Sequence, residues 1–519
     1  MSIINIARDP SIDQPAVETK GRWLALISFL VLITALNMSA TSVNLTIVPI
    51  SKQMDAGLKV LQWVLSVYGL AWSVFVIPSG KLANNFGKKR MLIIGILIFI
   101  GSSLLCGFSE EVWLLILGRV IQGIAAAICI PPIYGLVYDK FPAGQRGFPI
   151  GLLGTGTGVG LAIGPTIGGI ILEYLNWQWI YYINIPIGIL AFLIILITIR
   201  KESTQLSKSL DIISSLYVAL FVIPFSYGIN NVSTWGLLDY KTFIAIALVI
   251  GGVLLFNFRS KKISSPLIPK GTFSNKLYVS TLTGFMFLSF ILGTVLVIIG
   301  LYMQSVLNFS ALHTALIFIG FAAIFSFVSP IGGKLSEKLD SRIPACIGIC
   351  VAMIGVILVS FYNIQTNDIF IIISLCLVGF IGLSIAPYNT TMLKAVNKQT
   401  VDSLSGLYNM CGCMGFSIGV VISTNVLVHV SKGELTKLLH NADIILSKKS
   451  IQILEHLLES AHRDYQHLSS IQAPKEELIR IMNEAFITGL HTSMYVLLGV
   501  GLISVLITLK WMKVPQSKI

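Results

Sequence analysis

Long apolar runs alternate with short polar segments along almost the whole chain. Each run holds about 20 residues, and a helix of that length spans the ~30 Å hydrocarbon core of a bilayer because each residue rises about 1.5 Å. The pattern predicts fourteen transmembrane helices, and an even number places both chain ends on one side. The runs lie near residues 23–45, 59–81, 91–108, 111–138, 147–172, 178–199, 211–230, 241–258, 277–305, 310–332, 343–361, 368–391, 403–428 and 486–509.

Charge is distributed unequally between the two sets of loops. Lysine and arginine are concentrated on the side of the N-terminus, whereas aspartate and glutamate are more frequent on the other side. Because basic loops stay in the cytoplasm, both termini are predicted to be cytoplasmic, in a multi-pass protein of the plasma membrane or inner membrane. The first run lacks the short core and cleavage site of a removable signal peptide, and we interpret it as a retained span.

The composition agrees with an all-α integral membrane protein. Hydrophobic residues make up 55% of the 519 residues and charged residues 11%, against about 25% charged residues in soluble domains. Basic inner loops facing the anionic leaflet explain the net charge of +13, so nucleic acid is not an expected partner. The seven cysteines lie in apolar runs without disulfide or zinc spacing, and no metal or cofactor is expected.

Two inner loops share a short sequence at a separation of 253 residues, from Gly80 to Gly333. Gly-Lys-Leu occurs at residues 80–82 and again at residues 333–335, each time just after an apolar run. This similarity indicates an internal duplication, and parallel repeats are typical of transporters that rock two halves around a central site. The alternative is that two short basic loops resemble each other by chance.

A duplication divides the chain into four parts. They are a cytoplasmic tail at residues 1–22, an N-terminal six-helix half at 23–199, two extra transmembrane helices with linkers at 200–276, and a C-terminal six-helix half at 277–519. The second half contains an outer polar segment at residues 429–485.

The outer polar segment is predicted to form a helical hairpin or lid, because its apolar residues have helical spacing. These residues are Leu435, Leu438, Leu439, Ile445, Ile451, Leu454, Leu457 and Leu458. Six of the seven histidines lie in or near the segment, without the paired spacing of a metal site, and we interpret them as surface residues.

A glycine-rich basic loop follows the second run. Residues 80–90, Gly-Lys-Leu-Ala-Asn-Asn-Phe-Gly-Lys-Lys-Arg, resemble the loop between spans 2 and 3 of major facilitator superfamily transporters. The glycines allow a tight turn, and the cations are expected to hold the loop at anionic headgroups. The family pattern has a gating aspartate where this chain has Asn84, which implies a gate made of neutral hydrogen bonds. The gating residues that the resemblance implies are Gly80, Asn84, Gly87, Lys88 and Arg90.

A charged residue lies inside the fourth run. Residues 117–123, Leu-Gly-Arg-Val-Ile-Gln-Gly, resemble a second superfamily motif, whose arginine is linked to proton movement. A charge at the centre of a membrane helix costs about 2.5–3.5 kcal/mol and is tolerated mainly where it faces a cavity or partner. Arg119 and Gln122 are therefore candidate coupling residues. A structural arginine bonded to backbone carbonyls is the alternative.

The fifth run carries glycines on one helix face. Residues 160–169, Gly-Leu-Ala-Ile-Gly-Pro-Thr-Ile-Gly-Gly, resemble the antiporter motif of the same superfamily. Residues 177–188 resemble the entry to span 6 of the fourteen-span drug:proton antiporter group, which performs multidrug resistance efflux. The resemblance implies the major facilitator fold, with two six-helix halves plus two inserted helices. The candidate gating residues of this run are Gly160, Gly164, Pro165, Gly168 and Gly169.

The chain departs from that group in span 1. The group carries an aspartate five residues before an asparagine, and here Ser39 precedes Asn44 at that distance. No acidic residue lies near the middle of a predicted span, so the sequence identifies no proton carrier. A cavity that holds Arg119 without a carboxylate attracts anions, so we expect an anionic or zwitterionic substrate. The candidate substrate contacts are Asn37, Asn44, Gln62, Tyr68, Trp72, Gln304, Asn389, Tyr408, Asn409 and Asn425.

The favoured function is secondary active export of drug-like or anionic small molecules by alternating access, with protons or another coupling ion. An importer of a small anionic solute and a non-transporting sensor or scaffold are the alternatives. An enzyme is not expected, because no acid, base or metal cluster converges in the spans. The expected partners are the substrate, the coupling ion and the lipid bilayer, together with a periplasmic adaptor and outer-membrane channel in a Gram-negative cell.

Overall fold

The computed structural model describes residues 19–55, 58–199, 212–236, 239–263, 266–442, 444, 446–459, 471 and 474–513. Within these ranges, every element longer than a turn is a helix, as predicted. The helices are α1 Thr19–Thr41, α2 Ile47–Met54, α3 Leu58–Phe86, α4 Lys88–Gly107, α5 Val112–Lys140, α6 Gly147–Tyr174, α7 Trp179–Tyr182, α8 Asn184–Thr198, α9 Ile212–Trp235, α10 Tyr240–Lys262, α11 Lys276–Ser305, α12 Ala311–Lys338, α13 Arg342–Val359, α14 Asp368–Gly379, α15 Gly382–Ala395, α16 Val401–Asn441, α17 Lys448–Glu459 and α18 Lys475–Trp511.

Thirteen stretches of helix in the described part of the chain are long and apolar enough to cross a membrane. The pairs α7–α8 and α14–α15 each form one of these stretches. The remaining predicted span corresponds to α9, whose apolar part, Ile213–Ile229, is shorter. The chain is therefore a multi-pass membrane protein.

The helices pack into two bundles. In the first, α3 and α4 pack on α5, and α1 packs on α6 and α8. In the second, α11 and α18 pack on α16, and α12 packs on α14 and α15. The bundles meet along two seams, one between α3 and α16 and the other between α6 and α12.

The motif face is the end of the molecule that carries residues 80–90, 139–148, 333–342 and 394–403. The following contacts bring these four segments together. A methyl group added to Gly80 would lie 2.3 Å from the carbonyl oxygen of Asp402, and one added to Gly147 would lie 2.1 Å from that of Gly333. Both seams are therefore closed at the motif face by direct backbone contact.

Helices α9 and α10 lie beside the α3–α16 seam. Helix α9 contacts both α3 and α16, whereas α10 packs mainly on α9. Trp63 of α3 stacks on Tyr227 of α9, with ring centroids 5.5 Å apart. Lys81 donates a hydrogen bond to the carbonyl oxygen of Pro266 in the segment after α10. The pair thus covers one seam from the side.

The outer polar segment is helical where it is described. Helix α16 has 41 residues and runs well past the predicted end of its span at residue 428. Together with α17 and the start of α18 it forms a small helical cluster, in which Lys432 Nζ and Glu455 Oε2 are 3.5 Å apart. Ile445, His462 and His467 lie outside the described residues. The buried apolar residues of the cluster are Leu435, Leu439, Leu454, Leu457, Leu458, Leu478, Ile481 and Met482.

Candidate functional site

Arg119 lies at the centre of the first bundle and is fully buried. Its Nε donates to the carbonyl oxygen of Val64 at 3.1 Å. Its Nη1 donates to the carbonyl oxygen of Ser39 at 3.1 Å and to Gln122 Oε1 at 2.8 Å. Nη2 has no hydrogen-bond partner among the described residues. The guanidinium is therefore bonded to neutral oxygens, and its Nη2 keeps donor groups that no described residue uses.

Gln122 connects this arginine to the next helix. Its Nε2 donates to Ser103 Oγ of α4 at 2.8 Å while its Oε1 accepts from Arg119. The Ser39 hydroxyl lies 3.4 Å from Arg119 Nη1, at the position where the sequence comparison expects an aspartate. The predicted coupling pair is thus one hydrogen-bonded network across α1, α3, α4 and α5.

Two predicted aromatic residues adjoin the arginine. The Tyr68 ring lies under the guanidinium, 4.4 Å from its carbon, and the Tyr68 hydroxyl donates to the carbonyl oxygen of Leu36 at 2.9 Å. Trp72 meets Tyr68 edge to face at 5.8 Å. The Trp72 Nε1 is buried and has no hydrogen-bond partner among the described residues. Arg119 and Trp72 therefore both offer an unused donor within one aromatic-lined region.

Where their side chains are described, the other predicted substrate contacts do not converge on this network. Most of the asparagines donate to the carbonyl oxygen four residues earlier in their own helix, namely Asn37, Asn389, Asn409 and Asn425. Tyr408 is buried in the second bundle and stacks on Phe285 at 4.2 Å. Gln304 is half-buried on α11. The side chains of Asn44 and Gln62 lie outside the described residues.

The predicted glycine face of α6 packs against α1. Added methyl groups would lie 2.6 Å from the carbonyl oxygen of Thr34 at Gly160 and 2.0 Å from the Thr41 hydroxyl at Gly164. Pro165 lies inside the helix, followed by Gly168 and Gly169. These glycines therefore allow two helices of the same bundle to pack closely.

A second glycine face of α6 was missed in the sequence. It faces α12 of the other bundle, where Ser329 Oγ donates to the carbonyl oxygen of Gly151 at 2.9 Å. Thr155 Oγ1 donates across the same seam to the carbonyl oxygen of Ser326 at 2.7 Å. Glycines that recur at intervals of three and four residues lie on one face of a helix, so this pattern was present in the sequence. Its glycines are Gly147, Gly151, Gly154 and Gly158.

The headgroup role expected for the loop cations is wrong for two of them, because Lys81 and Lys88 are buried. Their ammonium groups reach protein acceptors instead, and Lys88 donates to Asp139 Oδ2 at 2.5 Å. Arg90 is exposed and remains available to a membrane surface. The turn was predicted correctly, since Gly87 has φ of +92°, a conformation that favours glycine.

Asn84 forms neutral hydrogen bonds of the kind predicted for this loop, and the gating role expected for it stays a prediction. Asn84 Nδ2 donates to the carbonyl oxygen of Gln399 at 3.4 Å and to Ser403 Oγ at 3.5 Å across the α3–α16 seam. A charged residue, Asp402, also lies in this seam and was assigned from the sequence to a loop. It is in the first turn of α16, fully buried, with a carboxylate oxygen 3.8 Å from Lys88 Nζ.

The two repeated loops make matching contacts. Lys89 donates to the carbonyl oxygens of Leu196 and Ile199 at the end of the first bundle's last helix. Arg342, at the matching repeat position, donates to the carbonyl oxygen of Leu509 near the end of the second bundle's last helix. Internal duplication explains this correspondence better than chance similarity of two loops.

Arg342 also binds Asp340 in the loop before it. Its Nε and Nη2 donate to Asp340 Oδ2 at 3.0 and 2.7 Å, and these bonds hold the pKa of that carboxyl below its usual range. The carboxyl therefore contributes to folded-state stability above its usual pKa, and this contribution is lost as the pH falls through the lowered value.

We expect the substitution Asp402→Asn to weaken closure of the α3–α16 seam, because Lys88 then loses one of its two carboxylate neighbours. Transport should fall roughly five- to tenfold, the size of effect of one modest buried charge contact. Initial rates in proteoliposomes measure this. Asp239→Asn at the start of the peripheral α10 is the matched control, and an equal loss in both variants would contradict the assignment.

A cavity of about 210 Å³ lies at the motif face between the two bundles. It is close to the α6–α12 seam, since Gln145 and Phe148 on one side face Glu337 on the other. Aromatic side chains form much of its wall. The lining residues are Trp23, Phe141, Gln145, Phe148, Pro149, Lys334 and Glu337.

Comparison with known proteins identifies the family. The sequence profile of the Major Facilitator Superfamily matches residues 27–420. The chain is similar to the multidrug resistance protein Stp of Mycobacterium tuberculosis, with 23% identity over 92% of this chain and 90% of that protein. It is also similar to the tetracenomycin C resistance and export protein of Streptomyces glaucescens, with 26% identity over 80% and 77%.

A third relative and a solved structure agree. The quinolone resistance protein NorB of Staphylococcus aureus (strain Newman) is 28% identical over 71% of this chain and 80% of its own length. The human organic anion transporter MFSD10 (TETRAN) has a similar structure, with a TM-score of 0.60 over 95% of this chain and 100% of that chain. At 10% identity, this likeness concerns the fold.

Proposed function

The chain belongs to the Major Facilitator Superfamily, and we propose from this premise that it is a secondary active exporter of small molecules. Membership in a transporter family makes it a transporter rather than an enzyme. The printed names of three relatives describe multidrug resistance, quinolone resistance and export of tetracenomycin C. We infer that this chain also carries drug-like molecules out of the cell.

The observation that supports alternating access is the closure of two non-covalent seams at one end of the molecule. Each seam joins a helix of one bundle to a helix of the other through glycine backbone contacts. Two rigid bundles that meet in this way open by rocking apart, without unfolding either core. The structure then represents the state closed at the motif face.

Arg119 supports an anionic or zwitterionic substrate. It is a fully buried cation bonded to neutral oxygens, and its Nη2 has no hydrogen-bond partner in the part of the chain that the structure describes. A carboxylate brought near this group gains a charge-assisted hydrogen bond that a cationic molecule cannot form. Binding would require Tyr68, Trp72 and their helix to move and open a path to the arginine.

We assign the motif face to the cytoplasm and the α16–α17–α18 cluster to the outside, in a plasma or inner membrane, with both termini cytoplasmic. Proton antiport requires a titratable group, and span 1 carries Ser39 at the position where the drug:proton antiporter group has an acid. A periplasmic adaptor with an outer-membrane channel stays a prediction, and the outer helical cluster is the surface that would meet it.

Flux in inverted vesicles tests the function and the substrate charge together. Addition of an anionic drug should release protons, detected by a pH-sensitive dye, whereas a cationic drug of similar size should give a response at least about tenfold smaller. Vesicles without the protein are the control. Equal responses to both drugs would contradict the charge assignment, and radiolabelled flux in the opposite direction would favour the importer.

A further inference from the structure

Arg119 is a buried cation that forms no ion pair in the part of the chain that the structure describes. All of its hydrogen bonds there end on neutral oxygens, those of Val64, Ser39 and Gln122. A guanidinium does not lose its proton in a protein, so the positive charge persists. A fully buried charge without a counter-charge is strongly destabilising, because the protein interior screens it far less than water does. The site therefore favours a bound anion.

Ser39 supplies no counter-charge to this arginine. Its hydroxyl lies 3.4 Å from Arg119 Nη1, at the position where the drug:proton antiporter group carries an aspartate. An aspartate there would place a carboxylate from the chain itself beside the guanidinium. A serine side chain is neutral and smaller, so it lacks both the negative charge and part of the volume of the acid.

Two unused donors lie in the same region. Arg119 Nη2 and the Tyr181 hydroxyl of α7 are buried and have no hydrogen-bond partner within the described ranges. Tyr181 packs in one apolar cluster with Cys106 and with Leu115, which lies one turn before Arg119 on α5. A methyl group on Gly118 would lie 2.6 Å from Cys106 Sγ, and the Tyr181 hydroxyl is close enough to Arg119 to interact with its charge. An anion that accepts from both donors would satisfy two buried groups at once.

We propose that a chloride ion binds between Arg119 Nη2 and the Tyr181 hydroxyl and replaces the carboxylate that span 1 lacks. Chloride is a single atom that accepts hydrogen bonds and requires none in return. Both side chains are fully buried, so a larger anion could not stay partly hydrated there. A water molecule would satisfy the donors but would not balance the charge.

The chloride site changes how an anionic substrate reaches Arg119. A substrate carboxylate and the chloride ion would compete for the same donor, Nη2, so each substrate anion that binds must displace a chloride ion. This consequence rests on the export proposed above. Binding of chloride to the protein at rest does not, and it is measured without any substrate.

Thermal unfolding of the purified full chain in detergent tests the site. Sodium chloride replaces sodium gluconate stepwise at constant ionic strength, and the melting temperature is recorded at each step. We expect chloride to raise the melting temperature saturably, by on the order of 3 °C, because the ion binds the folded state and not the unfolded chain. Absence of a saturable rise would overturn the proposal and would not affect the assignment as an exporter.

Three variants locate the effect. Ser39→Asp supplies a fixed carboxylate, so it should abolish the response to chloride and melt above the wild type in gluconate. Tyr181→Phe removes one hydrogen bond to the ion and should raise the half-saturating chloride concentration roughly tenfold. Tyr408→Phe is the matched control, since it removes another buried hydroxyl without a described partner, in the second bundle, and should keep the wild-type value.

An unchanged chloride response in either Ser39→Asp or Tyr181→Phe would overturn the proposal. If Ser39→Asp does not fold, the comparison of Tyr181→Phe with Tyr408→Phe decides alone. Equal half-saturating concentrations in those two variants would show that chloride acts elsewhere on the protein.

Discussion

Replacing Arg119 with alanine is expected to abolish transport of anionic substrates and to destabilise the first bundle. The substitution removes the buried cation, leaves Gln122 Oε1 without the Arg119 donor and takes one donor each from the carbonyl oxygens of Ser39 and Val64. Each unsatisfied buried group costs about 1–3 kcal/mol. Loss of a buried charge partner costs a bound anion about 2–5 kcal/mol, which corresponds to roughly 30-fold weaker binding or more.

Two further variants separate the charge from the scaffold. Arg119→Lys keeps the charge, but one ammonium group cannot donate to Val64, Ser39 and Gln122 together. This variant should therefore transport anions faster than Arg119→Ala and slower than the wild type. Ser39→Asp places a carboxylate beside Nη1, where the serine hydroxyl lies at 3.4 Å, and should reduce anion transport while raising thermal stability. Transport rates and melting temperatures in the same detergent measure both. Undiminished anion transport by Ser39→Asp would contradict an arginine-dependent anion site.

The substitution Gly80→Ala is expected to block closure of the motif face. Its methyl group would lie 2.3 Å from the Asp402 carbonyl oxygen, a distance that only movement of α16 away from α3 relieves. Because the clash arises between bundles, both cores should fold normally while the protein stays open at the motif face. We expect transport to fall on the order of 100-fold, since overpacking costs about 1–3 kcal/mol and closure recurs in every cycle.

Gly69→Ala is the matched control, because it is on the same helix and a methyl group there meets nothing within 4 Å. Melting temperature should be similar in both variants, whereas initial transport rates should differ. A normal rate for Gly80→Ala would show that the seam accommodates the methyl group. A low transport rate together with a much lower melting temperature would show that the substitution impairs folding and not closure of the motif face.

The fold was predictable because lipid imposes a strong constraint on sequence. A span requires about 20 apolar residues whatever its neighbours are, so the runs in the chain could be found one at a time. Their ends were less predictable, since α16 continues as one helix past residue 428 into its polar part. The helical spacing of Leu435 and Leu439 predicted a helix after residue 428, but it did not predict that this helix continues the span without a break.

The sequence identifies a candidate residue when its burial in a membrane helix alone costs free energy. It does not identify a residue whose contacts are with a segment distant in the chain. Arg119 stood out because a charge inside a span is expensive. Asp402 and Glu337 did not, since acids near loops are common and only the folded chain shows one buried and the other bonded to α6. The second glycine face of α6 was hidden by the first, because two periodic patterns overlap on one helix.

Helix α16 connects the two ends of the molecule as one continuous helix. Its first turn lies in the α3–α16 seam at Asp402, and its last turns contribute Leu435 and Leu439 to the α16–α17–α18 cluster. Forty-one residues of helix measure about 60 Å, so a tilt of 10° about the midpoint displaces each end by about 5 Å in opposite directions. Separation of α16 from α3 at the motif face would therefore move the α16–α17–α18 cluster in the opposite direction, and a partner bound to that cluster would change how readily the α3–α16 seam opens.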